Sequence, residues 1–322
     1  LEYYSTCYLN SFTVTTTFSE FGPTLKIAEE FYSRNGLPLD EDAEWTEWIG
    51  GNFIQRYDPL VISRNAGSGI NKTSSLSDDH KYYIRENETT AKLLCYREPR
   101  FYAWIGFDRG IWELNGKNEN ERYLLARGGE TQGANGDGRH NPCGYFAKKL
   151  VNLETAQNTS GGLTQVRYTY PMIRLTDLYL LYAEALNESK SAPDNEVYQW
   201  IDSVRIRAGI PGVVEAYSTN AVAAKKNKPT TKEGMRDIIK QERLIELSFE
   251  SQRFYDLIRW KDALRYWNEP VRGWNIVEKT PNLFYSVITY FNSRTFNTKD
   301  YLWPLKLSTL QVNPNFKQNP GW

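Results

Sequence analysis

Three glutamates spaced four residues apart form the strongest chemical pattern in the chain. Glu242, Glu246 and Glu250 lie in IIKQERLIELSFESQRFYDLIRW (238–260), a stretch that predicts one helix. Four-residue spacing places all three carboxylates on one helical face. Glycoside hydrolysis needs two carboxyl groups about 5–9.5 Å apart across the scissile bond. The row is therefore a candidate acid/base site.

The same row also fits a structural ion-pair network. Arg243 and Arg253 each lie three residues from one of these glutamates, and opposite charges at that spacing offset the repulsion between like charges. Asp256 and Arg259 continue the alternation of charge. Such networks shift pKa values without catalysing a reaction. The alternation favours the structural interpretation.

Other catalytic and metal-binding patterns are weak. The chain has two histidines, and His140 lies in GDGRHNPC (136–143) near a cysteine and an aspartate. Zinc sites need three or four ligands at recognisable spacing, and no second histidine is near. No G-x-S-x-G, P-loop or G-x-G-x-x-G motif is present. We expect a polar loop here, without a metal, a cofactor or a catalytic residue.

Aromatic residues between glycines offer binding chemistry instead. In RFYAWIGFDRGIWELNGK (100–117), flat rings could cover the apolar face of a sugar, and arginine or asparagine could bond its hydroxyl groups. Glycines let the backbone present such rings at unusual angles. The candidate ligand-binding residues here are Tyr102, Trp104, Phe107, Arg109, Trp112 and Asn115.

The alternative is that these aromatic residues pack in the hydrophobic core. The letters FYAWI alternate as in a half-buried strand, with Phe101, Ala103 and Ile105 on one face and Tyr102 and Trp104 on the other. Exposed loop aromatics often mark binding sites. Both possibilities stay open for these rings.

Trp45 is a further candidate ligand contact. It lies with Trp48 in the acidic turn DEDAEWTEWIG (40–50), where the two indoles form a possible second platform. A loop tucked onto the core would explain them equally well.

Helical periodicity supplies the elements that must position these residues. Residues 24–34 carry an apolar stripe of Leu25, Ala28, Phe31 and Tyr32, which predicts a short helix. Apolar residues repeat again over 175–187 and then from Val197 to Ala208, where Gly209-Ile210-Pro211 ends the second helix. The first helix of this pair should bury one side, formed by Leu178, Leu181, Tyr182, Ala185 and Leu186.

The predicted helix pair spans about 34 residues, close to the tetratricopeptide period. One such pair cannot bury its own apolar face, so other parts of the fold must cover it. Thr230 and Glu233 form a T-x-x-E capping box before the next helix. The run LFYSVITYF (283–291) predicts a strand.

Composition excludes several functions. Lys+Arg and Asp+Glu both number 39 in 322 residues, and no long basic run is present. Nucleic-acid binding depends on a clustered basic surface, so we expect no nucleic-acid partner. No window approaches 18 uncharged apolar residues, which argues against a membrane-spanning helix. The first residues carry no basic n-region and do not resemble a signal peptide.

Several motifs, in order, resemble the SusD/RagB family. They are EPRFYAWI (98–105), YPMIRLTDLYLLYAEALNES (170–189), WIDSVRIRAGIP (200–211), ERLIELSFESQRFYDLIRW (242–260) and NPNFKQNPGW (313–322). The resemblance implies a mainly α fold, with tetratricopeptide-like helix pairs packed with an irregular, loop-rich lobe that contains short β-strands. Residues 1–322 would form the C-terminal portion of one SusD-like domain. Residues 1–170 would be the loop-rich ligand-binding lobe, and 171–322 the helical part and C-terminal closing segment.

The resemblance also implies a function. Members are outer-membrane surface lipoproteins of Gram-negative bacteria that bind nutrients, mainly glycans, without catalysis. They close as a lid over a TonB-dependent transporter of the SusC type. Membrane contact would come only through an N-terminal lipid anchor that this chain does not contain. The alternatives are an oligopeptide-binding RagB-like member, a glycoside hydrolase and a helical-repeat scaffold.

Overall fold

The computed structural model describes residues 21–62, 83–85, 87–112, 123–134, 141–149, 151–157, 163–164, 166, 171–292 and 294–322. The helices are α1 (Leu25–Glu30), α2 (Ala43–Trp48), α3 (Pro99–Trp104), α4 (Leu175–Ser189), α5 (Asn195–Arg207), α6 (Val213–Asn220), α7 (Lys232–Glu246), α8 (Gln252–Arg259), α9 (Ala263–Trp267), α10 (Pro281–Phe284) and α11 (Leu307–Val312). The strands are β1 (Pro59–Val61), β2 (Thr89–Ala91), β3 (Ile105–Phe107), β4 (Tyr145–Ala147), β5 (Ala156–Gln157), β6 (Leu163–Thr164), β7 (Val271–Trp274) and β8 (Val287–Phe291). Successive strands pair into two-stranded antiparallel ribbons.

Helices dominate this part of the chain, which confirms the mainly α fold class. Short 3-10 turns add to the irregular connections at Phe53–Tyr57, Lys92–Leu94, Ala223–Lys225, Lys228–Thr230 and Thr298–Tyr301. No helix in the described ranges is long and apolar enough to cross a bilayer. The proposed division of the chain at residue 170 stays a prediction.

The predicted helix pair is present as α4 and α5. Val197, Ile201 and Val204 of α5 are fully buried, as the apolar spacing predicts. Asp194 caps the start of α5, because its carboxylate accepts the Val197 N–H at 3.3 Å. Gly209 has a φ of +80° just after the last turn, so it supplies the left-handed residue that ends the helix.

The buried face of α4 differs from the predicted one. Leu180 and Ala183 are fully buried, whereas Leu178 is 53% exposed and Tyr182 is 45% exposed. Asn187 shares the buried face and donates to the Lys232 carbonyl at the start of α7, 3.0 Å away. Helix α4 therefore buries Leu180, Ala183 and Asn187, whereas Leu178 and Tyr182 face outward.

The stretch from 238 to 260 forms two helices rather than one. Helix α7 ends at Glu246 and α8 begins at Gln252, and the turn between them contains two residues with positive φ, Phe249 (65°) and Ser251 (66°). Periodicity alone missed this break. At its other end, α7 is capped by Thr231, whose hydroxyl accepts the Gly234 N–H, so the predicted Thr230–Glu233 capping box is wrong by one residue.

The segment FYAW is helical, and its prediction as a strand is wrong. Pro99 occupies the first turn of α3, where its missing N–H costs nothing, and strand β3 begins only at Ile105. The predicted strand at 283–291 is likewise shorter, because Pro281–Phe284 forms a helical turn before β8.

In the first part of the chain, the predicted core residues Leu25 and Phe31 are fully buried.

A buried ion network joins α3 to α7 and α5. The Arg100 guanidinium of α3 contacts Glu98 at 2.6 Å, Glu242 at 2.6 Å and Glu246 at 3.1 Å. Arg205 of α5 reaches the second oxygen of Glu242 at 3.2 Å. The side chains of Glu98, Glu242 and Glu246 are fully buried. The glutamate row is therefore part of a structural network, but its arginine partners come from other elements rather than from α7 itself.

The last two glutamates of the row have further cationic partners. Glu246 also binds Arg207 at 2.6 Å and Arg174 at 2.9 Å, and Glu250 binds Lys149 and Arg174. Burial alone would raise the pKa of Glu246, but Arg100, Arg207 and Arg174 lower it below its ordinary value. Glu246 is thus held as a carboxylate, which suits an ion-pair partner rather than a general acid.

Replacing Arg100 tests how much the fold depends on this network. Arg100→Met leaves three buried carboxylates near one another without their shared cation. We expect a loss of about 3–5 kcal/mol in the free energy of unfolding at pH 7, measured by urea denaturation. Arg236→Met is the matched control, because the Arg236–Glu188 pair is partly exposed and should contribute about 0–1 kcal/mol. Equal losses in both variants would contradict the structural role of the network.

Candidate ligand-binding site

A cleft of about 590 Å³ opens beside the end of α3. Its volume lies within the range of roughly 300–1,000 Å³ that is typical of small-molecule sites. The aromatic and cationic side chains on its wall are Tyr83, Tyr102, Trp104, Trp112, Lys148 and Lys149. The structure thus brings together three of the predicted ligand-binding residues, Tyr102, Trp104 and Trp112.

Trp104 is the most accessible of these three predicted residues. It is the last residue of α3 and is partly buried, and its indole makes a T-shaped contact with the Phe31 ring at a centroid distance of 6.1 Å. Lys149 Nζ lies 3.8 Å from the centre of the Trp104 ring, within cation–π distance. The adjacent Ala103 is exposed and has a side chain too small to cover the indole. The remaining surface of the indole therefore lines the cleft.

Lys149 fixes the position of its ammonium group through three partners. Nζ donates to the carbonyls of Glu246 at 2.8 Å and Ser248 at 3.0 Å, and it pairs with the Glu250 carboxylate at 2.5 Å. Burial lowers the pKa of Lys149 to about 8, although Glu250 opposes the shift. The turn between α7 and α8 thus anchors one wall of the cleft. No local pattern marks Lys149, because its partners lie about 100 residues away in the sequence.

Tyr102 and Trp112 form the back of the cleft. Tyr102 is only 5% exposed, its hydroxyl donates to the Leu94 carbonyl at 2.9 Å, and its ring stacks on Tyr83 at 4.1 Å. Trp112 is 3% exposed and packs against Gly106, where an added Cβ would lie 2.9 Å from the indole. These two rings shape the cleft but offer a ligand little surface.

Three other predicted residues lie outside the cleft. Phe107 is 2% exposed and stacks on Phe101, and the buried Trp45 indole donates to the Cys95 carbonyl at 3.3 Å. Arg109 is 5% exposed and its guanidinium contacts carboxylates of Asp108, Glu88 and Glu130.

Each of these three residues serves the core or an ion-pair cluster. We therefore remove Trp45, Phe107 and Arg109 from the candidate site. Asn115 and His140 lie outside the described residues. Within the described ranges, no group of three His, Cys, Asp or Glu side chains could hold a metal ion.

A mainly helical chain with tetratricopeptide-like helix pairs and short β-ribbons is the architecture of SusD-like proteins. The family model described as SusD family matches residues 2–322, so the chain belongs to the SusD family.

Two curated relatives support this membership. SusD-like protein P2 of Formosa agariphila is 34% identical over 154 residues, which cover 48% of this chain and 26% of that protein. SusD-like protein P25 of the same organism is 34% identical over 169 residues, 52% of this chain and 26% of that protein. The matched segments therefore span about a quarter of the length of each curated relative.

Solved structures show the same fold. The structure named selenomethionine BT4246 matches with a TM-score of 0.75 and 26% identity, over 99% of this chain and 50% of that chain. A SusD-like protein (BF3747) from Bacteroides fragilis matches with a TM-score of 0.63 and 21% identity, over 100% of this chain and 51% of that chain. The chain spans about half the length of these structures.

The titration of Lys149 tests the geometry of the cleft. We expect the Lys149 side chain to lose its proton with a midpoint near pH 8, rather than at the ordinary value of 10.5, because burial disfavours the charged form. Between these two pH values the unfolded chain holds a proton that the folded chain has released. The contribution of Lys149 to the free energy of unfolding therefore rises with pH across this window.

Lysine side-chain NMR signals can follow this titration, and Lys149→Met identifies the signal. A midpoint near pH 10.5 would show that Lys149 is solvated and would contradict the described wall of the cleft.

Proposed function

We propose that this chain is the ligand-binding portion of a non-catalytic nutrient-binding protein, and that it holds a glycan or oligosaccharide in the Trp104 cleft. The observation that carries the proposal is the partly exposed Trp104 indole, which contacts Phe31 and Lys149 on the wall of a concave site. An indole offers a flat apolar surface for the C–H face of a sugar ring. A side chain fixed on a short helix loses little entropy when it binds.

Family membership supports the wider setting. We propose that the full protein lies at the outer-membrane surface of a Gram-negative bacterium, attached through a lipid anchor. At this surface the protein would deliver its ligand to a SusC-like TonB-dependent transporter. The SusD family supports nutrient binding of this kind, mainly of glycans. The partner and the particular ligand are parts of the proposal.

The buried glutamates support binding without hydrolysis. Glu242 and Glu246 are fully buried and are engaged by Arg100, Arg205 and Arg174. A substrate could reach neither carboxylate without disrupting the ion network. We therefore expect oligosaccharides to be recovered intact after incubation with the protein, as reducing-sugar assays can show. Release of reducing ends that persists after repurification and is lost in Glu246→Gln would contradict a binding role.

Trp104→Ala is the direct test of the cleft. We expect at least about a tenfold loss of affinity for the oligosaccharide that binds best in a calorimetric panel of glycans and peptides, because stacking surface is lost. Trp303→Ala is the matched control, since Trp303 is 76% exposed and does not line the cleft. Trp112→Ala is a poor probe of binding because Trp112 is buried, and truncating it would destabilise the fold.

Two results would contradict the proposal. Unchanged oligosaccharide affinity in Trp104→Ala would show that the ligand binds elsewhere. Binding of peptides from the panel without binding of any glycan would assign the cleft to oligopeptides.

A further inference from the structure

A second pocket lies on the far side of the turn between α7 and α8. It has a volume of about 340 Å³ and shares no lining residue with the Trp104 cleft. Ser248 and Phe249 of the turn line this pocket, whereas Lys149 of the Trp104 cleft donates to the Ser248 carbonyl. A pocket near the lower end of the usual range suits one ring rather than a long chain.

The pocket combines apolar walls with an excess of positive charge. Its apolar side chains include Ile27, Leu244, Phe249, Leu257, Tyr266 and Trp267. Its charged side chains are four cations against two carboxylates, namely Lys26, Arg253, Arg272 and Arg294 against Glu30 and Glu269. Aromatic walls with net positive charge suit a ligand that has an apolar face and carries an anionic group.

Three of the four cations already have acceptors within the protein. Lys26 pairs with Glu269, and Arg294 donates to the Glu269 backbone carbonyl at 3.2 Å. Arg272 lies 3.7 Å from Glu29, a carboxylate outside the pocket wall. These three cations are therefore already oriented by acceptors of the protein.

Arg253 differs from the other three cations. Its guanidinium lies 4.8 Å from the ring centre of Tyr266 and 5.9 Å from that of Trp260. It has no hydrogen bond or ion pair with any described residue. Stacking on rings holds a guanidinium in place while its N–H donors stay available. Arg253 is therefore a pre-positioned cation with unused hydrogen-bonding capacity, held over Tyr266 of the pocket wall and near Trp260 outside it.

We propose that this pocket binds an anionic sugar ring, with the oxyanion on Arg253 and the ring against the apolar wall that includes Ile27 and Phe249. A carboxylate matches the fork of N–H groups on a guanidinium. A sulfate ester on the ring offers the same oxyanion chemistry. This binding does not depend on the Trp104 cleft, and it gives the protein a preference for acidic sugars over neutral ones.

Ligand-observed NMR titrations with small probes test the pocket. The probes are D-glucuronate, glucose 6-sulfate, the neutral ring D-glucose and the ringless anion acetate. We expect at least one anionic ring to bind about tenfold or more tightly than either control probe, and its affinity to fall as ionic strength rises. The stronger of the two anionic rings identifies the oxyanion. Equal binding of glucose and both anionic rings would overturn the proposal, as would an absence of binding by both.

Variants of two neighbouring arginines locate the bound probe. Arg253→Gln should weaken binding of the anionic ring about tenfold, and Arg253→Lys should weaken it less, because charge is kept while the fork is lost. Arg265→Gln is the matched control, since Arg265 also lies over Tyr266, at 5.3 Å, but does not line this pocket. Equal affinities in Arg253→Gln and Arg265→Gln would overturn the proposal.

The two binding proposals can fail separately. If the anionic ring binds here, its affinity should be the same in Trp104→Ala as in the unaltered protein, because the two pockets share no residue. Loss of that binding in Trp104→Ala would place the anionic ring in the Trp104 cleft and overturn the second pocket.

Discussion

The Arg100 guanidinium, enclosed by three buried carboxylates, is the interaction on which the rest of the structure depends. Its partners Glu98, Glu242 and Glu246 come from two distant parts of the sequence, so the network fixes α3 against α7. Buried ion pairs often add little net stability compared with apolar packing, but removing one partner is costly. We infer that the network serves mainly to define a single arrangement of these helices.

This arrangement also places the candidate site. Arg100 and Trp104 lie one turn apart on α3, and the guanidinium is 6.0 Å from the centre of the indole ring. Lys149 covers Trp104 and is bonded to the carbonyl of Glu246, a member of the network. The acidic row and the aromatic stretch, which suggest two separate functions in the sequence, are therefore neighbours. The ion network fixes α3 against α7, and the Trp104 indole at the end of α3 is the surface that we propose for the ligand.

Sequence patterns predicted those features of the fold that depend on residues close together in the chain. The helix pair, the end of α5 at Gly209 and the buried stripe of α1 follow from periodicity and backbone preference, and all are present. The break after Glu246 was missed, because carbonyls that accept Lys149 from a distant segment support it. The buried face of α4 and the burial of Trp45 were likewise beyond local patterns, since each depends on which element packs against it. Of the candidate site, Trp104 was identifiable from its type and its setting, whereas Lys149 was not.

The central claim is that recognition occurs at Trp104, whereas buried rings such as Trp45 and Trp274 serve the core. Proton–nitrogen correlation NMR spectra of the tryptophan indole N–H groups test this claim directly, recorded with and without the oligosaccharide that binds best. The account predicts that the Trp104 signal shifts on saturation, whereas the signals of Trp45 and Trp274, which are 2% and 0% exposed, stay in place. Saturable binding that leaves Trp104 unchanged and shifts a different indole would contradict the account.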